Sequence, residues 1–325
     1  MTQSEEINFY WEKPISIDLI KDSWEAAFNK KFPSGYWDWR FNCNPYDSRV
    51  TAIYVLKDGV VAAYYAVSPL LIRLMDGKIY KAGLMNMGFT HPLYQGRGYY
   101  QIINNILHEQ LKKEGYSLCY GFANHNSHYP YRKYLGWKDL STLNLMSRKP
   151  DAFVSKLPVS NQDAFTFSIN EINEFEIKEM SSLCLNNGLI HVERTEEYLR
   201  WRLLNNPLNK YFTLKLIQDQ ESVAILVYKK HIDDSIDIMD FFVSYKMKEE
   251  GNTILIETLD YLQNKEKCIT NIWSNLYSDE HLALEKAGFR ETVFSCYFGV
   301  INFIGKLEIE NIESWHYRFI DSDIF

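Results

Sequence analysis

Gly88-Phe89-Thr90-His91-Pro92-Leu93-Tyr94-Gln95-Gly96-Arg97-Gly98-Tyr99-Tyr100 is the stretch on which the reading of this chain turns. Before it, an apolar run from Ile79 to Phe89 has the composition of a strand; after it, Ile102, Ile103, Ile106, Leu107 and Leu111 recur at helical spacing on one face. The order is therefore strand, glycine-bearing loop, helix start. The first N–H groups of a helix have no intrahelical acceptor and lie at the positive end of its dipole, so such a junction suits a phosphate held by main chain. Gly96 and Gly98 keep side chains away from a ligand, and Arg97 adds a cation to the loop. A Gly-x-Gly turn also fits an ordinary strand-to-helix connection. The stretch has neither the Gly-Lys-Ser/Thr of a P-loop nor the three glycines of the dinucleotide fingerprint.

Downstream lie a second strand pattern (Leu118 to Phe122), then Ala123-Asn124-His125-Asn126-Ser127, a short helix, and Tyr134-Leu135-Gly136-Trp137. With both halves in this order, the region resembles the GNAT superfamily of acyl-CoA-dependent N-acyltransferases. In that superfamily a Gln/Arg-x-x-Gly-x-Gly/Ala loop grips the CoA pyrophosphate, and Gln95, Gly98 and Tyr100 fall at or beside those positions. Gly136-Trp137 stands for the Gly-Phe pair of the family. The resemblance implies acyl-CoA, such as acetyl-CoA, as co-substrate with no metal. The residues expected to hold it are Phe89, Thr90, Gln95, Gly96, Arg97, Gly98, Tyr99, Tyr100, Asn124 and Asn126.

Acyl transfer from a thioester to an amine needs an unprotonated nitrogen, a donor for the developing oxyanion and a proton for the thiolate. The resemblance places the oxyanion donor on main chain near Gly88 to Thr90. No Asp or Glu lies between Lys81 and Tyr100, so the base candidates there are His91, since histidine as a residue type suits proton transfer near neutral pH, and Asn86, which can position a water or the acceptor but is no base itself. His91 equally suits a residue that fixes the Thr-His-Pro turn. Many GNAT members use a tyrosine four residues before the Gly-Phe glycine as the acid, and here that position is Arg132. Tyr131 and Tyr134 flank it, three apart and so near one helix face, and Tyr131 is the preferred proton donor. Asn124, Asn126 and Ser127 either cap the following helix or bond pantetheine amides; the expected division has Asn126 or Ser127 capping while Asn124 meets the ligand.

Ser16 to Lys30 reads as a first helix, and Tyr36 to Cys43 as a short aromatic helix stopped by Asn44-Pro45. Strands are expected at Val50 to Leu56, Val60 to Leu74 and Ile79 to Phe89, with Asp58-Gly59 and Asp76-Gly77 as hairpin signals between them. Leu140 to Arg148 reads as the last strand of this half, followed by a linker from Lys149-Pro150 to about Gln162. The second half repeats the first. Trp201 to Pro207 matches Trp39 to Pro45 at four of seven positions, Val223 to Lys229 and Ile236 to Val243 resemble the meander, and Glu285 to Arg290 mirrors Lys133 to Lys138. Met239-Asp240-Phe241 is set opposite Met87-Gly88-Phe89. The expected fold is α/β (α+β), two tandem GNAT-like domains, each a mixed, mostly antiparallel sheet flanked by helices. Residues 1–150 form the acyl-CoA-binding domain and residues 151–325 a degenerate copy, since Lys248-Glu249-Glu250 brings two carboxylates where a pyrophosphate sits.

With 325 residues, 46% of them apolar, the chain has enough for two cores, and its net charge of −7 argues against a nucleic-acid or membrane-surface binder. No apolar run reaches the ~18 residues of a span, and the start has no signal-peptide pattern. Five scattered cysteines without a Cys-x-x-Cys suggest a reducing cytoplasm. The Trp-Arg-x-x-x-Asn-Pro element with Thr-His-Pro-x-Tyr-x-Gly-x-Gly and Asn-x-Asn-Ser looks like a bacterial group of tandem GNAT proteins linked to surface-polysaccharide synthesis. That likeness implies a nucleotide-linked amino sugar, such as a dTDP-amino-dideoxyhexose, as acceptor; a peptide or small amine, or a catalytically silent acyl-CoA-binding module, remain as alternatives. The expected partners are thus small molecules, and a homo-oligomer is compatible with the sequence.

Overall fold

The computed structural model describes residues 6–47, 49–150, 165–183 and 188–323. Most of the expected linker and Cys184 lie outside them. The first elements in chain order are β1 (Glu6–Phe9), α1 (Ile17–Phe28), β2 (Ala52–Lys57), β3 (Val60–Arg73), β4 (Ile79–Thr90), α2 (Tyr99–Lys113), β5 (Leu118–Ala123), α3 (His125–Tyr134) and β6 (Lys138–Arg148). Then come β7 (Thr166–Glu171), α4 (Glu174–Ser182), β8 (His191–Val192), α5 (Glu196–Leu199), β9 (Phe212–Gln218), β10 (Glu221–Lys230) and β11 (Ile236–Val243). The last are α6 (Gly251–Glu266), β12 (Thr270–Ile272), α7 (Asp279–Lys286) and β13 (Arg290–Asn302). These fall into two compact units. One comprises Met1–Ile72, Ile79–Ser141 and Tyr297–Glu310, the other Arg73–Lys78, Thr142–Cys296 and Asn311–Phe325.

Local chemistry accounts for the first unit's framework. Ser16 accepts from Asp18 N to start α1, and Asn29 ends it in the left-handed region. Asp58 and Gly59 both take positive φ (52° and 77°), which matches the twist of a two-residue hairpin, and Lys57 pairs with Val60 across it. Strand order is β1-β2-β3-β4-β5, completed by Tyr297–Asn302 of β13. The β1/β2, β2/β3 and β5/β13 pairs are antiparallel and β4/β5 is parallel. Alternation along β3 sends Tyr64 to a cluster with Ile20, Trp37, Phe41 and Phe89, and Tyr65 to one with Ile103, Leu107, Leu111, Tyr131 and Trp137. Ile102 and Ile106, expected on the inner face of α2, are 43% and 37% exposed. The buried stripe is Tyr99, Ile103, Leu107 and Leu111, spaced by four, and a residue one position earlier is turned about 100° away.

The sequence repeat is a repeat of geometry. Cys43 N reaches back five residues to Asp38 O (2.8 Å) and Asn205 N to Arg200 O (2.9 Å), so both aromatic segments form one wide π-turn. Arg40 and Arg202 lie over the neighbouring rings of Trp39 and Trp201, at 5.4 and 5.7 Å. Asn44 and Asn206 then each accept from the N–H two residues on, at 2.9 Å, before the chain leaves through Pro45 or Pro207.

In the second unit the order is β7-β9-β10-β11-β12, completed by Met146–Arg148 of β6. As in the first, an antiparallel meander leads to one parallel pair, here β11/β12. This corrects the expected boundary at residue 150: β6 residues Thr142–Arg148 belong to the second unit, and Tyr297–Asn302 of β13 stands beside β5. A local pattern specifies that a strand forms, not which edge it joins. The edge of β5 selects β13 through side chains: Phe298 stacks on Phe122 at 5.0 Å, and Gly299 leaves room for Trp137, whose ring would lie 2.3 Å from a Cβ there.

Two stability predictions arise here. Asp219 and Gln220 close the β9/β10 hairpin with φ of 50° and 66°, although neither is glycine. Gln220→Gly is expected to stabilise by about 0.5–1 kcal/mol, because left-handed backbone is costly for a β-carbon; the urea midpoint measures it. His108 on α2 is buried with Nε2 3.0 Å from Tyr65 Oη, and burial pushes its pKa down from 6.5 to about 4. The unfolded chain therefore binds this proton more readily. Stability is full above about pH 6.5 and falls by about 3 kcal/mol as pH drops to about 4. Denaturation of wild type and His108→Gln across that window should show the variant losing less.

Candidate active site

The β4/β5 ladder runs from Ala82↔Leu118 to Met85↔Gly121 and stops there, although β4 continues to Thr90 and β5 to Ala123. Each strand is then held on its far side only. His91 N donates to Ala62 O on β3 at 3.0 Å, and Ala123 pairs with Tyr297 on β13. N–H groups alternate sides along a strand, so those of Gly88 and Thr90 are turned toward the side where the ladder has ended. Asn86 sits at the parting point. Its Nδ2 donates to Ser68 Oγ (2.5 Å) and its Oδ1 accepts from Met87 N (2.7 Å), so it locks the strand locally.

The glycine loop has room for an anion. Gly96 and Gly98 take φ of 75° and 77°, and a β-carbon built at either would meet nothing within 4 Å. Gly98 is the N-cap of α2 and no side chain caps that end. Gln95 to Gly98 are exposed. Arg97 folds back over the Tyr94 ring at 5.0 Å and donates to Leu93 O at 3.3 Å. Tyr94, which the sequence reading passed over, is buried, and its hydroxyl lies 3.3 Å from Asp58 Oδ2 on the hairpin, anchoring the loop. His91 caps this turn, its Nδ1 accepting from Leu93 N at 3.3 Å; in the neutral ring that puts the proton on Nε2, so the capping tautomer offers a donor there and not a base.

Three of the residues expected at the cofactor turn their side chains away from the loop. Phe89 is buried and stacks on Tyr64 at 5.6 Å, Tyr99 packs into the core, and the Tyr100 phenol turns inward from the loop. The helix after β5 is capped by Asn124, not by Asn126 or Ser127. Its Oδ1 accepts from Asn126 N (2.9 Å) and Ser127 N (3.0 Å), while Ser127 Oγ accepts from Asn124 N (3.1 Å). Asn126 is exposed in the first turn of α3.

Tyr131 is buried, and its hydroxyl lies 3.1 Å from that of Tyr100, the two rings parallel. Tyr134 does not share this face. It is the last residue of α3, 40% exposed, and groups with Tyr129 and Lys133. Arg132 is exposed and pairs with Asp139 at 3.3 Å. His128 stacks on Tyr297 at 3.7 Å and holds Asp139 at 2.8 Å. Tyr297 had no local signal, since it comes from the far end of the sequence.

In the second unit Ser244 stands where His91 does. Its φ/ψ (−57°, 141°) match those of His91 (−59°, 138°), Ser244 N donates to Val223 O, and Met247 N donates to Ser244 O. Lys248-Glu249-Glu250-Gly251 thus answers Gln95-Gly96-Arg97-Gly98. The same register places Phe242 opposite Phe89, one residue on from the expected match of Phe241. Gly251 is right-handed (φ −52°), so a tight helical turn from Tyr245 runs directly into α6 and the left-handed cradle is missing. The β11/β12 ladder ends at Asp237↔Asn271, and the C-terminal segment lies against both strands. Arg318 binds Trp273 O just past β12 (3.1 Å), and Asp321 joins through Arg194 to Asp240 on β11.

Residues 13–139 match the family described as "Acetyltransferase (GNAT) domain". No curated protein sequence matches the chain. Among solved structures, a GCN5-related N-acetyltransferase from Anabaena variabilis is similar at 11% identity, TM-score 0.64, over 92% of this chain and 73% of that one. A tandem GNAT protein from the clavulanic acid biosynthesis pathway is similar at 12% identity, TM-score 0.57, over 92% of this chain and 99% of that one. A GCN5-related glucosamine N-acetyltransferase region of a fungal multi-domain β-N-acetylglucosaminidase has 14% identity and TM-score 0.59, over 92% of this chain and 38% of that one. These structures share the fold across both halves. Residues 13–139 are thus a GNAT acetyltransferase domain, and such a domain indicates an acyl-CoA-dependent N-acyltransferase. Among the described residues, no helix is long and apolar enough to cross a membrane.

Proposed function

We propose that this N-acyltransferase acts on the amino group of a nucleotide-linked amino sugar such as a dTDP-amino-dideoxyhexose, with acetyl-CoA or a short hydroxyacyl-CoA as donor. The observation that carries the donor site is the open, left-handed glycine pair at the uncapped start of α2, which the second unit has lost. The donor is therefore assigned to the first unit alone, with main-chain N–H groups at Gly96 to Tyr99 facing its diphosphate and Arg97 nearby. The sugar is supported by the sequence likeness to tandem proteins of surface-polysaccharide synthesis and by the fold shared with a glucosamine N-acetyltransferase region.

When bound, acyl-CoA supplies an activated thioester carbonyl. The chain's own part is to direct the Gly88 and Thr90 N–H groups at the oxygen that gains charge, and to return a proton to the departing sulfur from Tyr131. The acceptor nitrogen arrives neutral, and its surplus proton leaves to solvent, since the Nδ1 of His91 is taken up by Leu93 N and its Nε2 already holds a proton.

Release of free thiol from acetyl-CoA on adding a dTDP-3-amino-3,6-dideoxyhexose tests the reading. Transfer only to peptides or simple amines would replace the sugar, and no release with any amine would indicate a silent binding module. Tyr131→Phe is expected to lower kcat about 100-fold with little change in the KM for acetyl-CoA. Unchanged turnover would make solvent the proton source.

A further inference from the structure

The resembling loop pattern ends in glycine or alanine where this chain has Tyr100, and the structure gives the extra ring a place. A β-carbon at Gly88 would lie 2.3 Å from Tyr100 Oη, so the absent side chain at Gly88 is what admits the phenol to the face of β4 just beyond the end of its ladder with β5. There it meets Tyr131, hydroxyl to hydroxyl at 3.1 Å. We propose that Tyr100 is a positioning residue that holds Tyr131 as proton donor and stabilises its phenolate after the proton has gone. The proposal rests on Tyr131 being the acid.

During transfer the acceptor nitrogen forms its bond to the carbonyl carbon and the carbon–sulfur bond breaks. The sulfur takes the proton from Tyr131, and the proton lost by the nitrogen returns through solvent to Tyr131, so the sum is amine plus thioester giving amide plus thiol. Between those events Tyr131 carries a buried negative charge. A phenol already aimed at it supplies a charge-assisted O–H···O⁻ bond without reorganisation, roughly twice as strong as a neutral one. Tyr100 keeps its own proton, since burial pushes its pKa up to about 12 against the opposing hydrogen bonds from Tyr131 and Asn104. The other titratable group facing the pair is Tyr65 on β3, itself bonded to His108 on α2 and next to Cys119 on β5; burial keeps both the Tyr65 phenol and the Cys119 thiol protonated.

Tyr100→Phe removes one oxygen and retains the ring. In the full chain labelled with 13Cζ-tyrosine, assigned by comparison with Tyr131→Phe, the Tyr131 resonance should titrate about one pH unit higher in Tyr100→Phe than in wild type. Turnover with acetyl-CoA and a dTDP-3-amino-3,6-dideoxyhexose should fall about tenfold at unchanged KM. Gly88→Ala, which displaces the phenol, should move the Tyr131 titration the same way. An unmoved Tyr131 titration in Tyr100→Phe overturns the positioning role while leaving Tyr131 as the acid. Full activity of Tyr131→Phe overturns the acid reading itself, and the resonance then still reports whether the two phenols are coupled.

Discussion

Gly98→Asp is expected to raise the KM for acetyl-CoA about 100-fold or more with far less effect on thermal stability. Asp is among the residues that tolerate the left-handed backbone at this position (φ 77°), and nothing within 4 Å resists a β-carbon, so the fold accepts the change. The carboxylate then faces the place assigned to the diphosphate. At about 5 Å and an effective dielectric near 20, one pair of like charges costs about 3 kcal/mol, which is about 100-fold in binding. Steady-state kinetics over a range of acetyl-CoA concentrations reads the effect, and titration calorimetry should find one acyl-CoA per wild-type chain. An unchanged KM would remove the loop from the donor site, and two sites per chain would show that the second unit had kept a cradle.

Arg194→Met is expected to cost about 3–5 kcal/mol of stability. The guanidinium is 5% exposed and bridges two buried carboxylates, with Nε to Asp240 Oδ2 at 2.7 Å and Nη1 and Nη2 to the two oxygens of Asp321 at 2.6 and 3.0 Å. Asp240 is wholly buried, and burial pushes its pKa up even with Arg194 beside it. Without the cation, the Asp240 carboxyl should hold its proton more tightly still in the folded state than in the unfolded one. The variant is then least stable at neutral pH and recovers as pH falls through the raised pKa of Asp240. Denaturant midpoints at neutral and mildly acidic pH measure this, and a pH-independent loss would mean that the damage is to packing alone.

The parts of the molecule legible in sequence are those in which neighbouring residues decide the backbone. Asp58-Gly59 closes its hairpin because both positions need positive φ. Gly96 and Gly98 open the loop for the same reason, and Trp-Arg-x-x-x-Asn-Pro repeats because each shared residue does its work within a few positions. The site was less legible. Asn124 reads as either a ligand contact or a cap, and only the placement of Asn126 N and Ser127 N shows that its oxygen is already committed. Tyr131 and Tyr134 look equivalent at a spacing of three, yet α3 ends between buried Trp137 and open solvent, so one phenol is enclosed and the other exposed.

By itself, the order of apolar runs, glycine turns and helix stripes determined two copies of one strand–loop–helix plan, with an open glycine loop in the first and carboxylates in its place in the second. Tertiary structure alone decided that β13 rather than β6 flanks β5, that the C-terminal segment lies against β11 and β12, and that Tyr100 meets Tyr131. The physical reason is range. Turn and helix signals act over a few residues, whereas strand partners and buried phenol contacts are chosen by complementarity between surfaces that exist only after the chain has folded.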